Sequence, residues 1–433
     1  MKKLQVNKND LITFSILLIL SLTTIVILDP IYDFIISTII LIVLVSRAKF
    51  SLFSELSIIL WYSYLQGVLR KTVGITGNTL AWAGVRMPFY FDELTVATMS
   101  YLIIGLAFVL FTDLVEKEKK LYLKNVGISF QLAFALSVVG AVLILLVFPS
   151  IPTFKVAATG TRRTQGLSSL YGLVLASCLL CGLSIDQSFK HKSIWVIYAF
   201  NILWCFGHAE RVEQLGFLSY FVLKFINHYD YMSAITKMKK IKNRKWLIIG
   251  IVVVVLVVAM WLGITRDSDS SHVDLATMFF NFLQQGTCGD VVYVFNCATD
   301  LWKSGHAVHG LSYLDYLTRL IPGAASPYSA EHLIASKYEV MGGILFFGEP
   351  MMNFGIVGVI IMNVEFWVVM KILVNKGTRF RAYIWIPIVI EIFRTAWYGR
   401  GAWLMASVIE APLLYFVINY VIRAFNSPKK ESL

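Results

Sequence analysis

Nine arginines, two closely spaced histidines and a glutamate at the head of an apolar run are the residues of this chain best suited to chemistry. The arginines are Arg70, Arg86, Arg162, Arg163, Arg211, Arg266, Arg319, Arg394 and Arg400. A guanidinium grips a diphosphate or carboxylate through parallel hydrogen bonds, which a lysine cannot do. Arg162 and Arg163 stand side by side in a Gly/Thr stretch, a setting that suits an anion grip. Arg394 lies in an apolar run, where a charge is costly and marks function by default. An ion pair with Glu391, three residues earlier, is the competing reading. Arg211 is flanked by Glu210 and Glu213. Arg70, Arg86 and Arg266 are read as anchors whose charged ends reach lipid headgroups.

The histidines occur in Gly305-His306-Ala307-Val308-His309-Gly310. Their spacing can serve a metal, but no third ligand accompanies them, so no metal centre is expected. His309 is the leading candidate for a general base, with His306 and Glu349 behind it. Glu349 opens the run Glu349-Pro350-Met351-Met352-Asn353-Phe354-Gly355, where a carboxylate near a helix start is favoured. Gly355 and Gly358 permit close approach of a neighbouring helix. No Gly-rich phosphate loop, paired-carboxylate motif or Ser/His/Asp arrangement stands out, and no cofactor is expected. The five cysteines form no ligand pattern. A bridge between Cys288 and Cys297 is chemically permitted in an external loop, yet nine residues along one helix would hold them too far apart.

The elements that must position these residues are membrane helices. The chain has 433 residues, 58% of them hydrophobic, and a formal net charge of +12. Apolar runs recur at the length that a bilayer requires, about 20 residues. About twelve spans are expected, at 11–28, 31–46, 52–70, 94–112, 126–148, 167–185, 193–207, 212–227, 246–264, 351–373, 383–398 and 402–423. The third is the weakest by composition. With both termini cytoplasmic, the connections rich in lysine fall inside, as the positive-inside rule requires, while the nine arginines fall outside. The basic residues are dispersed among spans, which excludes a nucleic-acid-binding domain. The chain reads as one membrane domain, 1–433, with a large external loop at 265–347. A structureless loop of that length is improbable. Its apolar spacing predicts helices through Val291, Phe295, Ala298, Leu301 and Trp302, and through Leu314, Leu317, Leu320 and Ile321.

Three stretches carry a resemblance to a known family. One is Cys205-Phe206-Gly207-His208-Ala209-Glu210-Arg211, with His208-Ala209-Glu210 in place of a more usual small-residue run. The second is Gly310 to Pro322 followed by Gly348-Glu349 and Asn353-Phe354-Gly355. The third is Arg394 with Tyr398-Gly399-Arg400-Gly401. Together with the span arrangement, they resemble the Wzy-type polysaccharide (O-antigen) polymerases. The resemblance implies an all-α polytopic, GT-C-like membrane glycosyltransferase in a bacterial cytoplasmic membrane, with its active face external. Its donor and acceptor would be glycans on polyprenyl diphosphate, and a chain-length regulator would be a partner. It places Arg211, Arg394 and Arg400 on the diphosphate, assisted by Arg162 and Arg163, with the acceptor hydroxyl deprotonated by His309, His306 or Glu349. A ligase that moves the finished glycan to another lipid, and a flippase for the same lipids, are the alternatives.

Overall fold

The computed structural model describes residues 7–73, 88–152, 172–208, 210, 212–236, 286–318, 328–338, 340, 343–399, 401, 409 and 411–426. Among these, the chain is helical, and the sole strand-like feature is an isolated bridge between Ile344 and Tyr398. Six helices are long and apolar enough to cross a membrane: Lys8–Ile27, Pro30–Ala48, Leu52–Thr72, Phe91–Phe111, Phe130–Val147 and Gly348–Val374. The chain is therefore membrane-embedded. Three shorter apolar helices, Gly172–Ser188, Ser193–Gly207 and Pro412–Arg423, accompany them. The expected span 246–264 lies outside the described residues.

The chain divides into two compact units. The first comprises Met1–Lys119, Phe279–Asn375 and Phe393–Ala402. Its helices are α1 (Lys8–Ile27), α2 (Pro30–Ala48), α3 (Leu52–Val73) and α4 (Phe91–Phe111). The short α5 (Leu114–Leu123) begins in this unit. Helices α1 and α2 meet at a turn that local chemistry dictates. Leu28 takes the left-handed conformation that ends α1, Asp29 caps α2 by accepting from Tyr32 N at 2.8 Å, and Pro30 supplies the first helical residue. Helix α3 is the least apolar span for a physical reason: 72% of its most apolar stretch is buried against the chain. Ser54, Ser57, Ser63 and Gln66 can therefore be tolerated in its packed faces. Its first amide, Leu52 N, donates to the buried carboxylate of Glu118 at 2.7 Å.

The large loop supplies α10 (Gly286–Lys303) and α11 (Leu311–Thr318), which fit the predicted apolar spacing where it is described, and a further short helix, α12 (Ala330–Ala335), that the spacing did not predict. Helix α10 is no surface element. Val291, Val294, Phe295, Cys297 and Ala298 are buried in the unit's core. Cys288 and Cys297 are buried thiols on this one helix and are not joined in a disulfide. Helix α13 (Gly348–Val374) packs on α4 through Trp367, which stacks on Phe53 and Phe108. Gly105 leaves room for that indole, since a Cβ there would lie 2.3 Å from the ring.

The second unit comprises Lys120–Met278, Lys376–Ile392 and Trp403–Leu433. It holds α6 (Phe130–Val147), α7 (Gly172–Ser188), α8 (Ser193–Gly207), α9 (Val212–Thr236), α14 (Arg379–Ile390) and α16 (Ala411–Asn426). Ser184 joins α6 to α8 by meeting Ser137 at 2.8 Å and Tyr198 at 2.5 Å, the kind of polar contact that holds helices together in lipid. Lys224 of α9 is buried and pairs with Asp186 at 2.8 Å, and Asp186 also accepts from Val126 N. The expected span 383–398 is broken. Pro387 removes an amide from the ladder, α14 ends at Ile390, and a separate α15 (Ile392–Trp397) follows Glu391.

Gly216 lets α9 approach the backbone of α14 closely. A Cβ there would stand 1.7 Å from the Ile390 carbonyl oxygen, a backbone atom with nowhere to go. Gly216→Ala is expected to destabilise the protein by about 3 kcal/mol or more through overpacking. A fall in the thermal unfolding midpoint in detergent would register it; an unchanged midpoint would mean that α9 and α14 part easily.

Candidate functional site

The first unit brings together two of the chemistry-bearing stretches that are distant in sequence. The segment before Glu349 is stapled to the end of α15: Ile344 N donates to Trp397 O and Phe346 N to Ala396 O, both at 2.9 Å. Two glycines permit that approach. A Cβ on Gly343 would meet Trp397 O at 2.9 Å, and one on Gly399 would meet the Ile344 side chain at the same distance. Helix α15, which carries Arg394, and the Tyr398-Gly399 turn that follows it are thereby held beside the start of α13. The Arg394 guanidinium lies 5.9 Å from the centre of the Tyr398 ring.

Glu349 sits in the first turn of α13 and is 3% exposed. Its Oε1 accepts from Ser312 Oγ at 2.8 Å and its Oε2 from the Tyr316 hydroxyl. Ser312 and Tyr316 are one turn apart on α11, as Glu349 and Asn353 are on α13, so the two helices present matching polar pairs. Asn353 Nδ2 donates to Ser312 Oγ and to the Glu349 carbonyl, each at 2.8 Å, and its Oδ1 accepts from Gly310 N at 2.6 Å. The histidine loop is thus tied to the carboxylate through one buried amide. Gly401 packs flat against Tyr316, where a Cβ would lie 2.8 Å from the ring.

His309 is exposed and takes a positive φ of 48°, next to Gly310 at 90°. The ring lies edge-on to Trp302, with centroids 6.4 Å apart. Trp302 in turn covers Gly355, whose φ of 62° interrupts α13 and where a Cβ would lie 2.5 Å from the indole nitrogen. His306 is exposed and meets Ser304 Oγ at 3.0 Å. Of the three base candidates, Glu349 is the one enclosed by a complete polar cage.

Arg162, Arg163, Arg211 and Arg400 lie outside the described residues, as do Arg86, Arg266 and Arg319. Arg70, expected as a headgroup anchor, has its guanidinium against protein. Its guanidinium lies 4.5 Å from the centre of the Phe89 ring, and its Nη1 is buried without an acceptor among the described residues. The side chain turns onto protein because an aromatic face offers the cation a partner there.

A second polar cluster escaped sequence reasoning. Asn296, Asp300 and Lys303 fall at i, i+4 and i+7 on α10 and form a stripe against the start of α4. Asn296 Oδ1 accepts from Tyr90 N, and its Nδ2 donates to Pro88 O. Lys303 pairs with Glu93 and covers the Tyr90 ring. Both oxygens of Asp300 are occupied, by the hydroxyls of Tyr90 at 2.7 Å and Tyr338 at 2.5 Å. Partial burial and this carboxylate push the Tyr90 phenol up to about 12, and the same causes raise Tyr338. The helical spacing of the stripe was the available signal; its partners on α4 were not.

Asp300→Ala is expected to cost about 1–3 kcal/mol, because it strands two phenols and opens a polar gap. The linkage has a definite sign. A phenol whose folded pKa is raised contributes stability that is present below the ordinary tyrosine value, about 10. That contribution is lost as pH rises through about 12. The loss of unfolding midpoint in Asp300→Ala should therefore shrink above pH about 10; a difference independent of pH would contradict the pairing.

No group of three or more His, Cys, Asp or Glu side chains able to hold a metal occurs among the described residues. No family model, curated protein or solved structure significantly matches the chain.

Proposed function

We propose that this chain is a metal-independent membrane glycosyltransferase that joins oligosaccharide repeat units carried on polyprenyl diphosphate, working at the outer face of a bacterial cytoplasmic membrane. The observation that carries the reading is the caged carboxylate of Glu349 at the start of α13, which is held beside the short helix that carries Arg394. In the transfer, the bond between the donor sugar C1 and the diphosphate oxygen breaks and a bond from C1 to an acceptor hydroxyl oxygen forms. The diphosphate leaves with the electron pair, so its growing charge is the main demand on the protein. Arg394 and Arg400 meet that demand electrostatically, assisted by Arg162, Arg163 and Arg211. Arg400 stands in the sequence between Gly399 and Gly401, the two glycines packed on Ile344 and Tyr316.

The acceptor hydroxyl must also lose a proton. Glu349 already binds two hydroxyl groups, Ser312 and Tyr316, which is the chemistry needed to receive a sugar hydroxyl in place of one of them. His309, on the exposed loop tied to Asn353, is the second candidate for that proton. The partners of the reading are the lipid-linked donor and acceptor, surrounding lipids and a regulator of chain length.

Two observations favour a flippase as the second reading. Helices broken at Gly355 and Glu391, and the buried Lys224–Asp186 pair, are devices that transporters also use. Mass analysis of products formed by the purified chain from a lipid-linked repeat unit separates the cases. Polymers of increasing length support the polymerase. A single glycan moved onto a different lipid identifies a ligase, and unaltered substrate overturns transfer chemistry.

A further inference from the structure

We propose that Asp33 is a proton-binding site in the membrane-embedded part of the chain, holding its proton as the neutral acid while α2 is packed against α3 and α4. The inference is independent of the transfer reading. Asp33 lies in the first turn of α2 and is 1% exposed. Neither of its carboxylate oxygens has a hydrogen-bond partner, and no lysine, arginine or histidine pairs with it among the described residues.

The groups around it make matters worse for a negative charge. Asp29, the cap of its own helix, and Asp92 of α4 both act on it as like charges. Tyr64 of α3 also faces it, with its hydroxyl engaged with Thr95 Oγ1 at 3.2 Å. Helix α1 brings Thr23 to this end, and Thr23 is engaged with the Tyr32 hydroxyl at 2.6 Å. The neighbouring residue, Phe34, stacks on Trp61 of α3. The Trp61 indole N–H is buried and likewise has no acceptor among the described residues, so it does not donate to Asp33.

An ionised carboxylate so placed would carry a desolvation cost of several kcal/mol, and the N-terminal dipole of α2 would return only about 1–2 kcal/mol of it. Adding one proton removes the charge and leaves a group that only needs space. A bound metal cation is a poorer fit, because one carboxylate without further ligands cannot satisfy it. A proton is the ligand that this environment selects.

The test compares the infrared spectra of wild type and Asp33→Asn at neutral pH. The amide matches the neutral acid in shape and charge, so the variant is expected to fold. Wild type should show the carbonyl stretch of a protonated carboxylic acid that the variant lacks. A difference spectrum containing only ionised-carboxylate bands would overturn the proposal. Should the variant not fold, labelling of wild type with a lipid-soluble carbodiimide decides the matter. The acid O–H adds across the reagent and the acyl group then migrates from oxygen to nitrogen, so the modified peptide gains the whole reagent mass. An adduct on Asp33 supports the proposal, and an unlabelled Asp33 overturns it.

Discussion

Glu349→Gln is expected to fold and to lose transfer by about 10²–10⁴-fold, the range for removal of a general base. Glutamine keeps the volume of the buried side chain and can still accept from one of the two hydroxyls that the carboxylate holds, Ser312 or Tyr316. Its NH₂ cannot accept the other, so a structural cost of about 1–3 kcal/mol is expected as well. That cost and the kinetic loss are separable. The unfolding midpoint reports the first, and turnover at saturating lipid-linked substrate reports the second. A carboxylate that merely caps α13 would leave turnover near wild type once the folded fraction is taken into account. His309→Ala is the companion measurement. Its ring is exposed and lies edge-on to Trp302. A modest loss in His309→Ala beside a large one in Glu349→Gln assigns the proton to Glu349, and the reverse ranking assigns it to His309.

Arg394→Ala is expected to reduce transfer by about 10²–10³-fold, with protein levels unchanged. The argument rests on where the helix breaks. Helix α14 ends at Ile390 with Glu391 as its cap, so Arg394 belongs to a short separate helix rather than to the wall of a continuous span. Backbone hydrogen bonds from Ile344 and Phe346 fix that short helix beside the start of α13. A guanidinium in that place lies 5.9 Å from the centre of the Tyr398 ring, on a helix whose end is tied by backbone hydrogen bonds to the segment leading into Glu349. Loss of its charge removes stabilisation that develops only as the diphosphate departs, so turnover should fall more than substrate affinity. Arg394→Lys discriminates further. A lysine restores charge without the planar fork, so partial rescue indicates a point charge and no rescue indicates bidentate grip. Full activity in Arg394→Ala would remove this arginine from the chemistry.

The sequence discloses some of this arrangement and conceals the rest for identifiable reasons. The α1–α2 junction is legible because Asp29-Pro30 ends one apolar run and opens another, and both residues act locally. Helix α10 is legible from the spacing of Val291, Phe295, Ala298 and Trp302, although not its burial, which depends on what packs against it. The break at Glu391 is hidden within an apolar run. Hydropathy measures transfer from water and is blind to a local turn such as the one at Glu391. Glu349 stands out as an acid at the head of a helix. Its cage does not, since Ser312 and Tyr316 lie more than thirty residues away and meet it only through the register of α11 on α13. Asp33 was concealed in the same way: an acid in a first turn is ordinary until its neighbours are known to be acidic or already engaged. The arginines at 162, 163, 211 and 400 rest on sequence alone.

The most direct test of the account is the fate of the lipid diphosphate. The purified chain, reconstituted in vesicles with one defined polyprenyl-diphosphate-linked repeat unit, should release free polyprenyl diphosphate. The amount released should equal the number of new glycosidic linkages, molecule for molecule. Movement of the intact lipid-linked unit between leaflets, with no diphosphate released, would contradict it.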